Sequence, residues 1–349
     1  MSPIVSGSDT DVAIIGAGPV GLFSVFQCGM LGFRCHVIDV LDTAGGQCAA
    51  LYPEKPIYDI PGYPAVDAME LVDKLLDQAA PFEPVYHLGH PVMAMEPVGA
   101  GPDGTNDGWH LKIGGGREVT ARTVIIAGGT GAFGPVRLPL DGAEDYEGKS
   151  LFYLVRRKAD LAGKRVVIAG GGDSAVDWAI ALAGVADHIF VVHRREKFRA
   201  APENVRKMRE LAKNGAVQLV VPYQLAGLYG ADGHITAARV ATMDGDERIL
   251  EADVVLAFFG LVNNIGPIAE WGLELDHHTI KVRPDSCATN LHGVFAIGDI
   301  ATYPGKLKLI LTGFSEAAMA AHAIHPILHP GEALHFEYST TKGLPGMSK

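Results

Sequence analysis

Two glycine-rich segments of the same kind lie about half a chain apart and limit the folds that this sequence can adopt. The first is Gly16-Ala17-Gly18-Pro19-Val20-Gly21 and the second is Gly170-Gly171-Gly172-Asp173-Ser174-Ala175. An apolar run typical of a buried parallel strand precedes each, and a helical pattern comes after it. Strand, glycine turn and helix together begin a βαβ unit that binds dinucleotide phosphates. The sequence therefore predicts an α/β fold with two Rossmann-like domains, each doubly wound with three layers.

Length, charge and cysteine content restrict the class of protein further. A chain of 349 residues is long enough for two domains that each bury a core. The net charge of −11 argues against nucleic acid or an anionic membrane surface as general partners. No apolar run approaches the ~20 residues that span a bilayer, and no signal-peptide pattern is present. The cysteines Cys28, Cys35, Cys48 and Cys287 form no Cys-x-x-Cys or zinc-like spacing, so a reducing, cytoplasmic location is expected.

The pattern of the first domain returns near the end of the chain, in the apolar run that ends in Gly298-Asp299. The simplest topology is therefore a first domain that is interrupted by the second. We predict that residues 1–131 and 284–349 form the first domain, with a C-terminal extension from about residue 326. Residues 132–283 are predicted to form the second domain.

The first glycine segment has the context of a dinucleotide site. Gly16 permits a tight turn, and Gly18 lets the backbone approach a pyrophosphate at the N-terminus of the helix that starts at Pro19. Gly21 lets that helix pack against the preceding strand. Asp39 comes directly after the next strand, where a carboxylate accepts hydrogen bonds from both ribose hydroxyls of an adenosine.

The second glycine segment differs from the first in the residues after its second strand, which are basic rather than acidic. A ribose 2′-phosphate needs cations where a 2′-hydroxyl needs a carboxylate, so this site is predicted to bind NADPH rather than NADH. Glu196, beside the arginines, is the one mild contrary sign. The predicted NADPH-binding residues are Gly172, Asp173, Ser174, His193, Arg194, Arg195 and Arg199.

Three further segments complete the predicted site of the first domain. Asp299 ends a strand ahead of a helix, where its carboxylate is expected to bind a ribityl hydroxyl of FAD. The helix, entered near Thr312-Gly313, is expected to direct its positive end toward the flavin. The Gly-, Pro- and Tyr-rich residues 45–64 predict a long loop over the site, where Tyr52 either stacks on the ring or anchors the loop. The other predicted FAD-binding residues are Pro19, Gly46, Gln47 and Ala127.

A metal site is not predicted. His322, His325 and His329 share a loose helical spacing, but Pro326 interrupts the helix, which is expected to stop there, and no second set of ligands is visible. No Ser-His-Asp or paired-carboxylate arrangement is evident either.

The chain resembles the low-molecular-weight thioredoxin reductases over nearly its whole length. The resemblance lies in the two glycine segments, His193-Arg194-Arg195, Phe198-Arg199-Ala200 and Gly298-Asp299. Those enzymes carry a Cys-x-x-Cys in the NADPH domain, whereas residues 130–286 here contain no cysteine. Glutathione-reductase-like enzymes carry a cysteine pair after the first βαβ unit, whereas Cys48 stands alone there. Dithiol chemistry is therefore not expected.

The sequence is more similar to the thioredoxin-reductase-like ferredoxin–NADP⁺ reductases. The matching stretches are residues 45–62, with Leu51-Tyr52-Pro53-Glu54-Lys55 and Tyr58-Asp59, Gly171-Gly172-Asp173-Ser174-Ala175-Val176-Asp177-Trp178, and the C-terminal extension past Tyr338-Ser339-Thr340. This resemblance implies a homodimeric flavoprotein whose FAD domain is interrupted by an NADP(H) domain. It implies electron transfer between NADPH, which gives a hydride to FAD N5, and ferredoxin, which takes one electron at a time.

The resemblance also implies roles for residues around the flavin. Tyr52 would stack on one face of the ring, and Tyr338 of the partner subunit would cover the other. Ser339 would lie near the flavin N5 edge, and Thr340 is assigned to the FAD site with it. The predicted catalytic residues are thus Tyr52, Tyr338 and Ser339.

The identity of the electron acceptor is left open by the residues alone. An NADPH-dependent flavodoxin or quinone reductase of the same fold is one alternative, and a non-catalytic FAD-binding regulator is another. An acidic ferredoxin would need a local basic patch on this acidic chain. Arg156-Arg157-Lys158 and Lys306 with Lys308 are candidates, against the alternative of a scattered solvated surface.

Overall fold

The computed structural model describes residues 9–99, 106–155, 157–334 and 343. Contacts divide the chain into two compact units, one of Met1–Phe133 with Asn263–Lys349 and the other of Gly134–Val262. The first unit is interrupted by the second. The predicted second domain, 132–283, differs from this unit because its last part belongs to the first. Ile265, Ile268 and Ile280 are buried in the core of the first unit, which explains the difference.

The described residues form six α-helices and a larger set of mostly short strands. The helices are α1 Pro19–Met30, α2 Gly46–Leu51, α3 Ala68–Ala79, α4 Asp173–Leu182, α5 Pro202–Lys213 and α6 Ile310–Leu328. The strands as far as the second glycine segment are β1 Thr10–Ile15, β2 Cys35–Ile38, β3 Pro56–Ile57, β4 Val66–Asp67, β5 Val85–His87, β6 Val92–Val98, β7 Gly108–Ile113, β8 Arg117–Ile126, β9 Ala132–Pro135, β10 Leu151–Phe152 and β11 Arg165–Ala169. The later strands are β12 His188–Val192, β13 Gln218–Val220, β14 Gln224–Ala231, β15 His234–Ala241, β16 Glu247–Glu251, β17 Val254–Ala257, β18 Leu261–Asn264, β19 Leu275–Asp276, β20 Thr279–Lys281, β21 Val294–Ala296 and β22 Ala301–Thr302.

The first unit is built on a sheet of order β5-β2-β1-β8-β7-β6, with β21 also paired to β8. The strands β5, β2, β1, β8 and β21 run parallel, and β6 to β8 form an antiparallel meander. One core cluster packs α1 and α6 on one face of the sheet, and another packs the meander on the opposite face. The carboxyl ends of β1, β2, β8 and β21 therefore meet at one edge, where ligands of open α/β sheets bind.

The second unit repeats this plan on a smaller scale. Its parallel sheet has the order β10-β17-β11-β12-β13. One face packs against α4 and α5, and the other packs against the antiparallel sheet β14-β15-β16. The predicted α/β class with two Rossmann-like units is confirmed.

Two sequence expectations about secondary structure were wrong. The segment predicted as a loop over 45–64 contains the helix α2 and the short strands β3 and β4. The helix expected to stop near Pro326 continues to Leu328, which is buried in the core. Arg122 explains the extension, because its guanidinium donates hydrogen bonds to the carbonyl oxygens of Ile327 and Leu328 at 3.2 and 3.0 Å.

A histidine pair at the edge of the first sheet should make stability depend on pH. His36 Nδ1 lies 3.2 Å from His87 Nε2, so one ring donates and the other accepts. Burial, reinforced by nearby cations, lowers the pKa of both imidazoles. When a histidine has a lower pKa in the folded protein than in the unfolded chain, the unfolded chain binds more protons at low pH. The free energy of unfolding therefore decreases as the pH falls below the pKa of the unfolded chain.

We therefore expect the thermal midpoint to decrease as the pH is lowered from ~7.5 to ~5.5. In the double variant His36→Gln/His87→Gln this decrease should be smaller, by on the order of 1–2 °C. Thermal scans at a series of pH values measure this. The exposed His278, changed to Gln, is the control. Equal slopes in the wild type and the double variant would contradict the prediction.

Candidate dinucleotide-binding sites

The first glycine segment forms a turn in which each glycine has a different physical reason. Gly16 has φ +112°, and a Cβ there would collide with the carbonyl oxygen of Ala127. A Cβ on Gly21 would collide with the carbonyl oxygen of Gly16. Gly18 has an ordinary φ of −71°, and the nearest atom to its would-be Cβ is the Cα of Gly46 at 3.9 Å. The protein itself gives no reason for glycine at position 18, whereas close approach of a pyrophosphate to the start of α1 does.

The second glycine segment repeats this geometry at the start of α4. A Cβ on Gly170 would lie 2.6 Å from the carbonyl oxygen of Phe258, which comes after β17 as Ala127 comes after β8. Gly172 has φ −94°, and no atom lies within 4 Å of its would-be Cβ. The open approach to the start of α4 again fits the phosphates of a dinucleotide.

Asp39 lies at the carboxyl end of β2, where the sequence places it. Its side chain is 9% exposed, and its two oxygens accept hydrogen bonds from the backbone N–H groups of Ala17 at 2.6 Å and Leu41 at 2.8 Å. Burial raises the pKa of Asp39, and these backbone donors oppose that effect. Each oxygen keeps a further lone pair for a ribose hydroxyl, so the carboxylate is both fixed and able to bind.

The segment that contains α2 lies against the first glycine turn. The Gly45 N–H donates to the Ala17 carbonyl oxygen at 2.8 Å, and Gln47 Nε2 donates to Thr130 Oγ1 at 2.9 Å. These bonds hold the start of α2, which contains the predicted FAD-binding residues Gly46 and Gln47, against the first glycine turn and the segment that follows β8.

Tyr52 comes directly after α2 and is held in place by two neighbours. The Cys48 thiol donates to its phenol oxygen at 3.8 Å, and the Lys55 ammonium lies 5.7 Å from its ring centroid. Burial raises the pKa of Tyr52 well above its usual value and that of Cys48 to about 11, and the Asp299 carboxylate is near enough to contribute to both. The roles of Tyr52 and Asp299 at a flavin stay predictions.

The Gly298–Asp299 turn is held by a residue that the sequence pattern did not single out. The Gly298 N–H donates to Glu316 Oε2 at 2.7 Å, and the Lys306 ammonium pairs with the same carboxylate. Lys306 is therefore buried, and its assignment to a surface docking patch was wrong. The available signal was Glu316, the one acidic residue in the sequence of α6.

The start of α6 lies close to this turn in sequence. The helix begins at Ile310, slightly earlier than the predicted Thr312, and no side chain caps its first turn. The free N–H groups at the N-terminus suit a partial negative charge. Burial raises the pKa of Asp299, and the nearby charges of Lys308 and Lys306 act to lower it.

The basic loop after β12 is held against the second glycine turn. The Arg199 N–H donates to the Gly171 carbonyl oxygen at 2.7 Å, and the Ala201 N–H donates to Asp173 Oδ1 at 2.9 Å. Arg194, Arg195 and Arg199 are exposed, and none of them forms an ion pair within the part of the chain that the structure describes. Three unpaired guanidinium groups next to a phosphate-type turn fit a 2′-phosphate.

His193 is buried beneath the second glycine turn. Its ring lies 5.2 Å from that of Phe198, and a Cβ on Gly171 would collide with it, so Gly171 is required by His193. Burial lowers the pKa of His193, and the neighbouring arginines act in the same direction. Nε2 is buried without a hydrogen-bond partner among the described residues.

The cysteines do not form a reactive dithiol. All four are free and buried. Cys28 and Cys35 are hydrogen-bonded neighbours between α1 and β2, which their spacing did not indicate, and this contact with burial raises the pKa of Cys35 well above its usual value. Buried, protonated thiols are poor nucleophiles, so this pair fits a role in the core.

Several predicted residues lie outside the residues that the structure describes. These are Tyr338, Ser339 and Thr340 in the C-terminal extension, and Arg156. Arg157, the next docking candidate, pairs with Asp160 at 2.7 Å. In the described ranges, no cluster of three or more metal-ligating side chains is found. None of the described helices has the length and apolar character needed to cross a membrane.

The fold and the two turns define a class of protein in which two dinucleotides bind to one chain, as in flavin-dependent oxidoreductases. Solved structures of the same fold include two thioredoxin reductases. That of Lactococcus lactis is 22% identical, with 92% of this chain and 99% of that chain covered and a TM-score of 0.77. That of T. acidophilum is 23% identical, with 90% of this chain and 97% of that chain covered and a TM-score of 0.76.

The particular family is given by two sequence comparisons. Residues 10–323 match the family model of the pyridine nucleotide-disulphide oxidoreductases, and the chain belongs to that family. The ferredoxin–NADP reductase of Paramagnetospirillum magneticum is 57% identical, with 97% of this chain and 98% of the relative covered. That of Granulibacter bethesdensis is 59% identical, with 97% and 95% covered. The predicted resemblance, the oxidoreductase class and the cofactors FAD and NADP(H) are confirmed.

Proposed function

We propose that this chain transfers electrons between NADPH and ferredoxin through a bound FAD. The observation that carries the proposal is the pair of glycine turns with opposite chemistry beyond them. A carboxylate, Asp39, follows β2, and three arginines that have no ion-pair partner among the described residues follow β12. Relatives at 57% and 59% identity, named ferredoxin–NADP reductase, support the choice of acceptor. The buried thiols argue against a disulfide substrate.

The residues of the first unit bind and orient the flavin in this proposal. Gly18 and the start of α1 receive the pyrophosphate, and Asp39 accepts the adenosine ribose hydroxyls. Tyr52, fixed by Cys48 and Lys55, offers its ring for stacking beside Asp299. The free N–H groups at the start of α6 stabilise negative charge on the flavin. FAD, when bound, supplies the chemistry that joins two-electron exchange with NADPH to one-electron exchange with a protein carrier.

The residues of the second unit select the coenzyme in this proposal. Gly172, Ser174 and the start of α4 receive the pyrophosphate of NADP(H). Arg194, Arg195 and Arg199 bind the 2′-phosphate, and Asp173 holds their loop through the Ala201 N–H. From the C-terminal extension, we propose that Tyr338 covers the flavin, with Ser339 and Thr340 beside it.

The test of the proposed function is anaerobic reduction of the purified flavoprotein, and then addition of oxidised ferredoxin. We expect NADPH to bleach the flavin absorbance at a much lower concentration than NADH, and ferredoxin then to restore it. Bleaching without recovery would exclude ferredoxin, and flavodoxin or a quinone would be tested in the same cuvette. A flavin that NADPH does not bleach would contradict the proposal and leave a non-catalytic FAD-binding protein.

We further propose that the chain acts as a homodimer in the cytoplasm. Exposed apolar side chains of the first unit support self-association, because the large side chains of Tyr58, Leu307 and Leu311 all face solvent in the single chain. The free cysteines support a reducing compartment. Sedimentation velocity tests the dimer, and a monomer at micromolar concentration would contradict it. Of the predicted docking cations that the structure describes, Arg157 and Lys308 are exposed.

A further inference from the structure

A buried cluster of charged and polar groups lies behind the Gly298–Asp299 turn. Glu316, on α6, is 1% exposed. Its Oε2 accepts the Gly298 N–H at 2.7 Å, and its Oε1 accepts the Tyr303 hydroxyl at 2.7 Å. The Lys306 ammonium, whose side chain is 4% exposed, donates to the same Oε1. One carboxylate therefore joins the turn, the loop before α6 and α6 itself.

Burying this pair is costly, which calls for an explanation other than stability. Two charges lose their hydration, and a well-packed apolar pair of similar size is often at least as stable. The cluster supplies what an apolar pair does not, a directed hydrogen bond to the backbone next to Asp299. Where Gly298 is fixed, the Asp299 carboxylate and the first turn of α6 have a fixed separation.

We propose that Glu316 and Lys306 are positioning residues that hold the Gly298–Asp299 turn against α6 and so set both the affinity for FAD and its reduction potential. This inference rests on the proposed function, because Asp299 and the start of α6 are the flavin contacts proposed above. Neither member of the pair needs to touch the flavin. Glu316 acts through a backbone N–H, and Lys306 balances its charge.

The variants Glu316→Gln and Glu316→Leu separate these contributions. Gln keeps an oxygen that can accept the Gly298 N–H but leaves Lys306 without a counter-charge, whereas Leu loses both. We expect the FAD dissociation constant to rise about 3-fold in the Gln variant and at least about 30-fold in the Leu variant. The uncompensated cation should raise the flavin potential in Glu316→Gln, and Lys306→Met in the same chain should return it toward the wild-type value.

Fluorescence titration of FAD-free protein measures the affinity, and dye-equilibrated spectroscopy at saturating FAD measures the potential. Glu203→Gln is the matched control, because Glu203 forms an exposed ion pair with Arg206 at 2.6 Å on α5. Affinities and potentials equal to wild type in both Glu316 variants, with only a lower melting temperature, would overturn the inference. If the Leu variant does not fold, Tyr303→Phe replaces it, and the inference then requires weaker FAD binding in that variant.

The titration of the wild type separates this inference from the function on which it rests. Wild-type apoprotein that does not bind FAD would contradict the proposed function and the inference together. Wild-type protein that binds FAD and is bleached by NADPH, beside unchanged Glu316 variants, would overturn the inference alone.

Discussion

Replacing Gly18 by Val should give a folded protein that is purified without flavin. The backbone of Gly18, at φ −71° and ψ 177°, suits a β-branched residue, and a Cβ there meets only the Gly46 Cα at 3.9 Å. The same side chain would occupy the place where a pyrophosphate approaches the first turn of α1. We expect the FAD dissociation constant to rise by at least ~10²-fold, or ~2.7 kcal/mol, with a smaller rise for Gly18→Ala. Absorbance of the purified protein and fluorescence titration with FAD measure the effect.

The matched control for this change is Gly172→Val in the second unit. Gly172 has the same extended backbone and open surroundings, so this variant should keep its flavin and lose its response to NADPH. After FAD has been removed from all three proteins, the melting temperatures of both variants should stay close to that of the wild type. Wild-type FAD affinity in Gly18→Val would show that the first turn does not receive the pyrophosphate.

Removing the three arginines of the basic loop should abolish the preference for NADPH over NADH. Arg194, Arg195 and Arg199 are exposed and unpaired within the described residues, so truncation leaves no buried carboxylate without a partner. A charge-assisted hydrogen bond to a phosphate is worth about 1.5–3 kcal/mol, so losing two such contacts should raise KM for NADPH by ~10²-fold or more. KM for NADH should change by less than about threefold, because NADH has no 2′-phosphate.

Steady-state reduction of an artificial acceptor with each coenzyme measures both constants for the triple alanine variant. Arg206→Ala on α5 serves as the control, since this exposed arginine already pairs with Glu203 and Glu210. An equal loss with NADPH and NADH would mean that the loop contributes to folding or to general binding. It would not then select the coenzyme.

The positions that the sequence predicted correctly are those set by local geometry, and the binding roles of the residues there stay predictions. A glycine between a strand and a helix has few explanations, so the sequence alone places Gly16, Gly18 and Gly172 in turns between a strand and a helix. Asp39 and the arginines could be assigned from their place after the second strand of each unit. These are short-range relations, and the chain order alone contains them.

The features that sequence missed depend on distant contacts. Lys306 reads as a surface cation until Glu316 is found beside it in the core. The helix α6 continues past Pro326, and Arg122, which is distant in the chain, donates hydrogen bonds to the carbonyl oxygens of its last two residues. The residues 263–283 join the first unit because their apolar side chains complete its core. Burial and long-range partners decide all three, and neither is visible in a local pattern.

The likeness between the two glycine turns has an evolutionary consequence. In the proposed function, both turns hold phosphates in the same way, and the residues that distinguish one nucleotide from the other follow the second strand of each unit, Asp39 after β2 and the arginines after β12. We therefore expect substitutions in the loop after β12 to change which nicotinamide coenzyme is used without altering the fit of the flavin. Coenzyme choice is in this sense an independently variable trait, one that a lineage can revise while its electron-transfer centre is conserved.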